Sequence, residues 1–345
     1  MPRIENHILL RAARGEQTER TPIWLMRQAG RTDPEYVRIK AESGMSLEQL
    51  FRHPELAARI SLLPRRFGVD AIIYFQDILT PLSPMGAEFV FSPGPVLTRP
   101  ISGPQDLARL HRYDVADALP FIPETFRLVR ADLNGSLPVL GFAGAPLTLA
   151  VFILEGGSFG AGLERTKAIL AQEPAIIHRL LERLTELTID FLRLQIAAGA
   201  DAVQLFESAA NLFSLDEYIS YALPYQQRIF EALSGTVPTI MFARGWGDLD
   251  SLHASGADVL SLSEAIPIAV ARRRLGDALI VQGNLDNRLL VSGSKDEIAE
   301  AACACIEQGG RRGHIFNLSH GLLRETPFEN LLHLIHVVKN TRPDN

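Results

Sequence analysis

Cysteine is nearly absent from the 345 residues: only Cys303 and Cys305 occur, one residue apart. That spacing is too short for an ordinary disulfide and lacks the further ligands a zinc site needs, so both are expected to be plain packing residues. An excess of cationic side chains is lacking too. Lys and Arg number 34 against 40 Asp and Glu, a formal charge of −6, which argues against a nucleic-acid or membrane-surface binder, since these carry a broad positive field. Any anionic ligand must therefore meet locally placed cations. The N-terminal stretch MPRIENHILLRAARGEQTER mixes both charge signs and holds no long apolar core. It resembles neither a secretory signal nor a membrane span, and the cytoplasm is the expected compartment. The nine histidines include no HExxH or other close ligand pair, so no metal is expected.

What is present is an apolar fraction of 47% with 21% charged residues, enough to bury a sizeable core. Short apolar runs recur at 22–26, 70–75, 138–143, 201–207, 239–243, 258–263, 278–284 and 314–319. They are continuously apolar (AIIYF, TIMFA, ALIV), the pattern of parallel strands covered on both faces. Between them, 54–67, 121–132, 163–198, 215–233, 249–254, 267–275, 295–308 and 327–339 carry apolar residues at three-to-four spacing, the signature of amphipathic helices. Ser214 with Glu217 offers a capping box, and Pro54 and Pro327 suit first-turn positions. Eight strands alternating with eight helices predict an α/β fold, a single (β/α)8 TIM barrel over 1–345, with an insertion after the second strand at 80–120. An open doubly wound sheet is the alternative, disfavoured because no Gly-rich dinucleotide fingerprint follows the first run.

In such a barrel active sites form at the C-terminal ends of the strands. The first run leads into Arg27-Gln28-Ala29-Gly30-Arg31, two guanidiniums and an amide around an Ala-Gly step. Guanidinium forks clamp carboxylates bidentately and stay charged at any working pH; a solvated loop with two arginines would look the same. The second run ends in Phe75-Gln76-Asp77, where the carboxylate can be an acid, a base, a cation anchor or a helix cap. GFAGAP follows the third run, Phe206-Glu207-Ser208 ends the fourth, Gly283-Asn284-Leu285-Asp286 the seventh and Asn317-Leu318-Ser319-His320-Gly321 the eighth. Five strands thus bring polar groups to one end. A Ser208–His320 hydrolytic pair lacks any GxSxG elbow to support it.

These residues also carry a resemblance. PIWLMRQAGR resembles the N-terminal signature of uroporphyrinogen decarboxylases, and DAIIYFQDIL, GFAGAPLTL with LEGG, DAVQLFESAANL, LPYQQRI, QGNLD, GHIFNLSHG and TPFENL follow in order across residues 22 to 331. The resemblance implies a cofactor-free, metal-free enzyme, typically a homodimer with facing clefts, that takes uroporphyrinogen III to coproporphyrinogen III by removing the four acetate carboxyls. It implies that Arg27 and Arg31 bind substrate carboxylates, that Asp77 sits against the pyrrole N–H groups, and that Ser208 and His320 are further contacts. Gln28, Ala29, Gly30, Phe152 and Phe206 complete the implied substrate-binding set. An arginine of the 27–31 run is the implied proton donor, with a bound water or a substrate carboxyl in reserve. The chain departs from the family at Phe152 and Thr32, where tyrosines are usual, at Leu147 in place of tryptophan, and at Ser263-Glu264 in place of Asp-Trp. Two rivals remain: a corrinoid-dependent methyltransferase on the same barrel, which would need His/Cys zinc ligands, and a tetrapyrrole-binding paralogue without turnover.

Overall fold

A computed structural model describes residues 7–92, 94–101, 104–159 and 162–343. The first six residues of the mixed-charge N-terminal stretch and positions 93, 102 and 103 of the 80–120 stretch lie outside the described residues. Nine strands occur among them: β1 (Ile72–Ile73), β2 (Phe89–Phe91), β3 (Pro95–Leu97), β4 (Val139–Gly144), β5 (Ala202–Glu207), β6 (Thr239–Ala243), β7 (Val259–Ser261), β8 (Val281–Gln282) and β9 (His314–Ile315). Seven of them form one curled parallel sheet in the order β1-β4-β5-β6-β7-β8-β9, so every expected run but the first contributes a strand. β4, β6 and β7 are buried at every position, which is why they read as unbroken apolar runs rather than alternating ones.

The run 22–26 forms no strand; Ile23 makes a single parallel bridge to Phe316. Its backbone explains this. Pro22 has no N–H, while the amides of Ile23, Leu25 and Met26 donate to the side chains of Asp70 (2.9 Å), Gln28 (3.0 Å) and Asn317 (3.2 Å). Side-chain oxygens take the place of a ladder partner. The segment still lies between the two sheet edges, because Phe316 N–H donates to Pro22 O (2.8 Å) and Asp70 N–H to Ile23 O (2.7 Å). Arg20 grips the buried Asp70 with both arms (2.6 and 2.5 Å), a bidentate pair that fixes where the segment enters.

Inside the curl, Trp24 Nε1 donates to Gln282 Oε1 (2.9 Å), and Gln282 Nε2 donates to Gln204 Oε1 (2.9 Å) and Ser261 Oγ (3.0 Å). All four side chains are buried. This satisfied polar layer joins the 22–26 segment to β5, β7 and β8, and a fully paired layer specifies register where an apolar one would slide.

The helices follow expectation with three refinements. The span 163–198 is two helices, Glu164–Gln172 and Pro174–Ala198, because Pro174 disfavours helical backbone at Glu173. The span 215–233 is likewise two helices, Leu215–Tyr221 and Leu223–Leu233, with Pro224 in the first turn of the second. Pro54 opens Pro54–Leu62, whereas Pro327 stands just outside Phe328–Asn340. The Ser214–Glu217 capping box is formed. The 80–120 stretch holds short helices Leu82–Met85, Pro104–Leu107 and Val115–Ala118 around the antiparallel β2–β3 hairpin. Both cysteines are free. Cys305 is buried, and burial pushes its thiol up to about 11, which keeps it a neutral packing group. No described helix is long and apolar enough to cross a membrane.

Candidate active site

Arg27 is one of two non-glycine residues with positive φ (65°) among the described residues, a conformation that side chains rarely adopt without support. Support comes from Gly321: a Cβ there would lie 2.5 Å from Arg27 Cδ and 2.7 Å from Cγ. Only glycine lets the arginine stem lie flat on the chain after β9. Gln28 has turned inward. It is buried, its Oε1 accepts from Leu25 N–H, and its Nε2 donates to Ala71 O (2.9 Å), so it holds the loop to the core rather than offering its amide at the mouth. Ala29 packs beside the Tyr36–Phe51–Phe75 cluster. Gly30 O accepts from Asp33 N–H (2.9 Å), and Asp33 caps helix Pro34–Ser43. The guanidiniums of Arg27 and Arg31 reach water and make no hydrogen bond or ion pair within the described chain.

Asp77, past β1, is half-buried. Its Oδ1 accepts from Leu79 N–H (2.7 Å), while Gln76 Oε1 accepts from Asp77 N–H (3.1 Å) and Thr80 Oγ1 (2.7 Å). Oδ2 has no partner among the described residues. Desolvation pushes the carboxyl up to about 6, opposed by the Leu79 N–H and by Arg27. Arg27 is lowered by desolvation first and then by Arg244 and Arg31, with Asp77 acting the other way. Arg27 and Asp77 are thus crowded by protein yet reach water, and Asp77 can exchange its proton near pH 6.

His320 is half-buried with its Nδ1 accepting from Gly321 N–H (2.5 Å). That bond puts the ring proton on Nε2. Burial, with Arg27 and Arg244 adding to it, lowers the imidazole to about 4, so at neutral pH His320 is an uncharged Nε2–H donor. Its ring meets the edge of Phe242 (5.8 Å), which meets Phe206 (5.4 Å), which meets Phe142 (5.7 Å). Phe206, half-buried, belongs to this aromatic wall beside the cations. Ser208 is half-buried with an unengaged hydroxyl.

Arg27, Arg31, Asp77 and His320 therefore share one electrostatic neighbourhood, and Arg244 belongs to it as well. Arg244 escaped the sequence reading, although its place directly after the TIMFA run is the signal that could have found it. Several expected mouth groups are engaged elsewhere. Asn284 donates to the carbonyls of Ser263 (2.9 Å) and Ile266 (2.7 Å), Asp286 pairs with Arg288, and Asn317 Oδ1 accepts from Met26 and Leu318 amides. Phe152 packs against Phe159 (4.8 Å) and Phe89 (6.2 Å) on helix Pro146–Glu155. An open groove of about 730 Å³ between helices Pro54–Leu62 and Phe121–Leu133 shares no residue with this neighbourhood, and its Arg59, Arg65 and Arg66 are already paired with Glu35, Asp132 and Asp33.

Glu207, the last residue of β5, is fully buried with no cation beside it. It accepts from Thr148 Oγ1 and from Gln226 Nε2 (3.2 Å), and Thr148 Oγ1 in turn accepts from Ala209 N–H (3.1 Å). This clasp ties helix Pro146–Glu155 to the end of β5. Desolvation pushes the carboxyl up to about 7 against these hydrogen bonds. Because the folded pKa lies above the ordinary 4.5, its contribution to stability is complete below about 4.5 and is lost as pH rises to about 7. Glu207→Gln abolishes that component. The wild-type-minus-variant difference in urea midpoint is expected to fall across this window and level off above it; a flat difference would show that Glu207 does not titrate there.

The family model for uroporphyrinogen decarboxylase (URO-D) matches residues 5–341. The chain belongs to the uroporphyrinogen decarboxylase family. Among its relatives, a uroporphyrinogen decarboxylase from Thermus thermophilus is 40% identical over 339 residues, covering 97% of this chain and 98% of the relative. One from Rhodococcus opacus is 43% identical over 342 residues, covering 96% and 94%. Among solved structures, a methyltransferase from Methanosarcina mazei superposes with a TM-score of 0.80 at 20% identity over 96% of this chain and 97% of that one. At that identity it shows a shared fold.

Proposed function

We propose that this protein removes the carboxyl groups of the four acetate arms of uroporphyrinogen III, giving coproporphyrinogen III. The observation that carries the reading is Asp77, with one oxygen held by Leu79 N–H and the other open, in the electrostatic range of the unpaired Arg27. The substrate presents pyrrole N–H donors at its centre and carboxylates at its rim, and the site has the complementary charges. Asp77 is its electrostatic centre. Arg27 and Arg31 take acidic arms, His320 Nε2–H and Ser208 add hydrogen bonds, Phe206 and Phe152 supply apolar walls, and Gln28, Ala29 and Gly30 set the loop.

Decarboxylation breaks the bond between the acetate methylene and its carboxylate, leaving an electron pair that must be accommodated. A pyrrole protonated at a ring carbon accepts it: CO2 departs, the pair forms an exocyclic double bond, and a proton added to the methylene with one lost from the ring carbon gives a methyl group on a restored pyrrole. One proton is consumed per CO2. The ring itself is the electron sink, and an ionised Asp77 stabilises the transient cation in a medium less screening than water. The first proton comes from an arginine of the 27–31 run, or from water or a substrate carboxyl held there.

The same reading extends to the architecture. The 22–26 segment is the first strand of a closed (β/α)8 barrel, its ladder bonds replaced by side chains, within one domain whose 80–120 stretch lies beside the mouth; the protein works as a cytoplasmic homodimer. An anaerobic assay with uroporphyrinogen III tests the function. Products with seven, six, five and four carboxyls are expected in turn. Substrate bound but unchanged would instead select a non-catalytic tetrapyrrole binder, the reading that Phe152 and Thr32 favour.

A further inference from the structure

Arg244 follows β6 directly, and its amide donates to Glu207 O (3.0 Å). The β5–β6 register pairs Glu207 with Ala243, so the next step sets Arg244 beside Ser208. Two residues before Arg244, the Phe242 ring meets His320, and the glycine after His320 carries the stem of Arg27. Both arginines therefore lie within electrostatic reach of His320. The Arg244 side chain is exposed and makes no hydrogen bond or ion pair among the described residues. Arg27, Arg31 and Arg244 outnumber the single Asp77 carboxylate beside them, and such an excess of like charge is compensated when an anion enters.

We propose that Arg244 is a third carboxylate-binding guanidinium of the mouth, gripping an acidic arm of the tetrapyrrole other than the one that is reacting. The proposal rests on the decarboxylase reading for its ligand. Its electrostatic support is that Arg27 and His320 are each lowered in part by Arg244. Chemically, one arm reacts at a time while the others remain ionised, so arms outside the reacting position need their own cations. A guanidinium fork suits a carboxylate that must be held and then released as the ring turns.

The test compares Arg244→Gln, Arg244→Lys and Arg273→Gln in the anaerobic assay. Arg273 lies on the exposed face of helix Ile268–Leu275, ahead of β8 and so at the opposite end of the sheet, and its replacement removes the same charge away from the mouth. Arg244→Gln is expected to raise KM for uroporphyrinogen roughly 10-fold with kcat within about threefold, the loss of one charge-assisted contact. Arg244→Lys should raise it about threefold, and Arg273→Gln should match wild type. Equilibrium binding of uroporphyrinogen III to Asp77→Asn protein, with and without Arg244→Gln, should weaken in parallel. An unchanged KM in a folded Arg244 variant, or a loss of kcat alone, overturns the proposal; circular dichroism checks folding, and Arg244→Lys decides if the Gln variant does not fold. Wild type that binds the substrate without converting it would defeat the decarboxylase reading, while the binding comparison would still judge Arg244.

Discussion

Asp77→Asn is expected to lower kcat/KM for uroporphyrinogen by about 100-fold or more, the usual loss when a preorganised charge opposite a developing one is removed. The substitution keeps the shape and the acceptor for Leu79 N–H, so the loop of Gln76 and Thr80 stays in place. What disappears is the negative charge facing the protonated ring. A second signature accompanies the fall in rate. The carboxyl is pushed up to about 6, and only its ionised form can offset a cation, so wild-type kcat/KM should decline as pH drops through about 6, since that ratio reports the free enzyme. The Asn variant has no such group and should lose this acid limb. Rates from well below to well above this midpoint, for both proteins, provide the check. Near-wild-type turnover by the variant, or an acid limb surviving in it, would remove Asp77 from the centre of the mechanism.

Much of this site was legible in the chain because parallel strands covered on both faces are written as unbroken apolar runs, and whatever polar residue follows such a run stands at the functional end. That rule names Arg27, Asp77, Ser208 and His320 as candidates. The rule gives the end of the strand but not the direction of the side chain. Gln28, between two arginines, reads as part of the clamp; the left-handed backbone at Arg27 turns it inward to Ala71, and no local pattern foretells that. Asn284 and Asn317 fail for the same reason, the Asn284 amide nitrogen donating to the Ser263 and Ile266 carbonyls and the Asn317 Oδ1 accepting from Met26 N–H. The interior polar layer was also hidden, since Gln204 and Gln282 sit in runs whose neighbours are apolar and only their mutual approach satisfies them. Hydrogen-bond partnership across strands is a tertiary property, and periodicity carries no record of it. In the 22–26 run composition announces a strand, whereas the structure forms only one bridge there, because Asp70, Gln28 and Asn317 reach its amides.

Arg27→Gln should reduce kcat/KM by about 100-fold, corresponding to ~3 kcal/mol for a charge-assisted contact to a carboxylate. Arg27→Lys should fall between that and wild type, because an ammonium keeps the charge and loses the planar fork. Both variants can retain the loop, since the stem packing on Gly321 involves methylenes that Lys has in full and Gln in part. The informative outcome is the pH profile. Arg27 lowers the pKa of Asp77, so its neutral replacement should move the acid limb of kcat/KM to higher pH, whereas Lys should leave it close to the wild-type position. Arg27 also lowers His320, so the imidazole in the Gln variant should titrate at higher pH by NMR. A guanidinium that merely gripped a distant arm would change KM and leave both titrations where they were. Movement of the acid limb in the Gln variant but not in the Lys variant would tie Arg27 and Asp77 into one charged unit, in which the cation that holds the substrate also keeps the anion ionised.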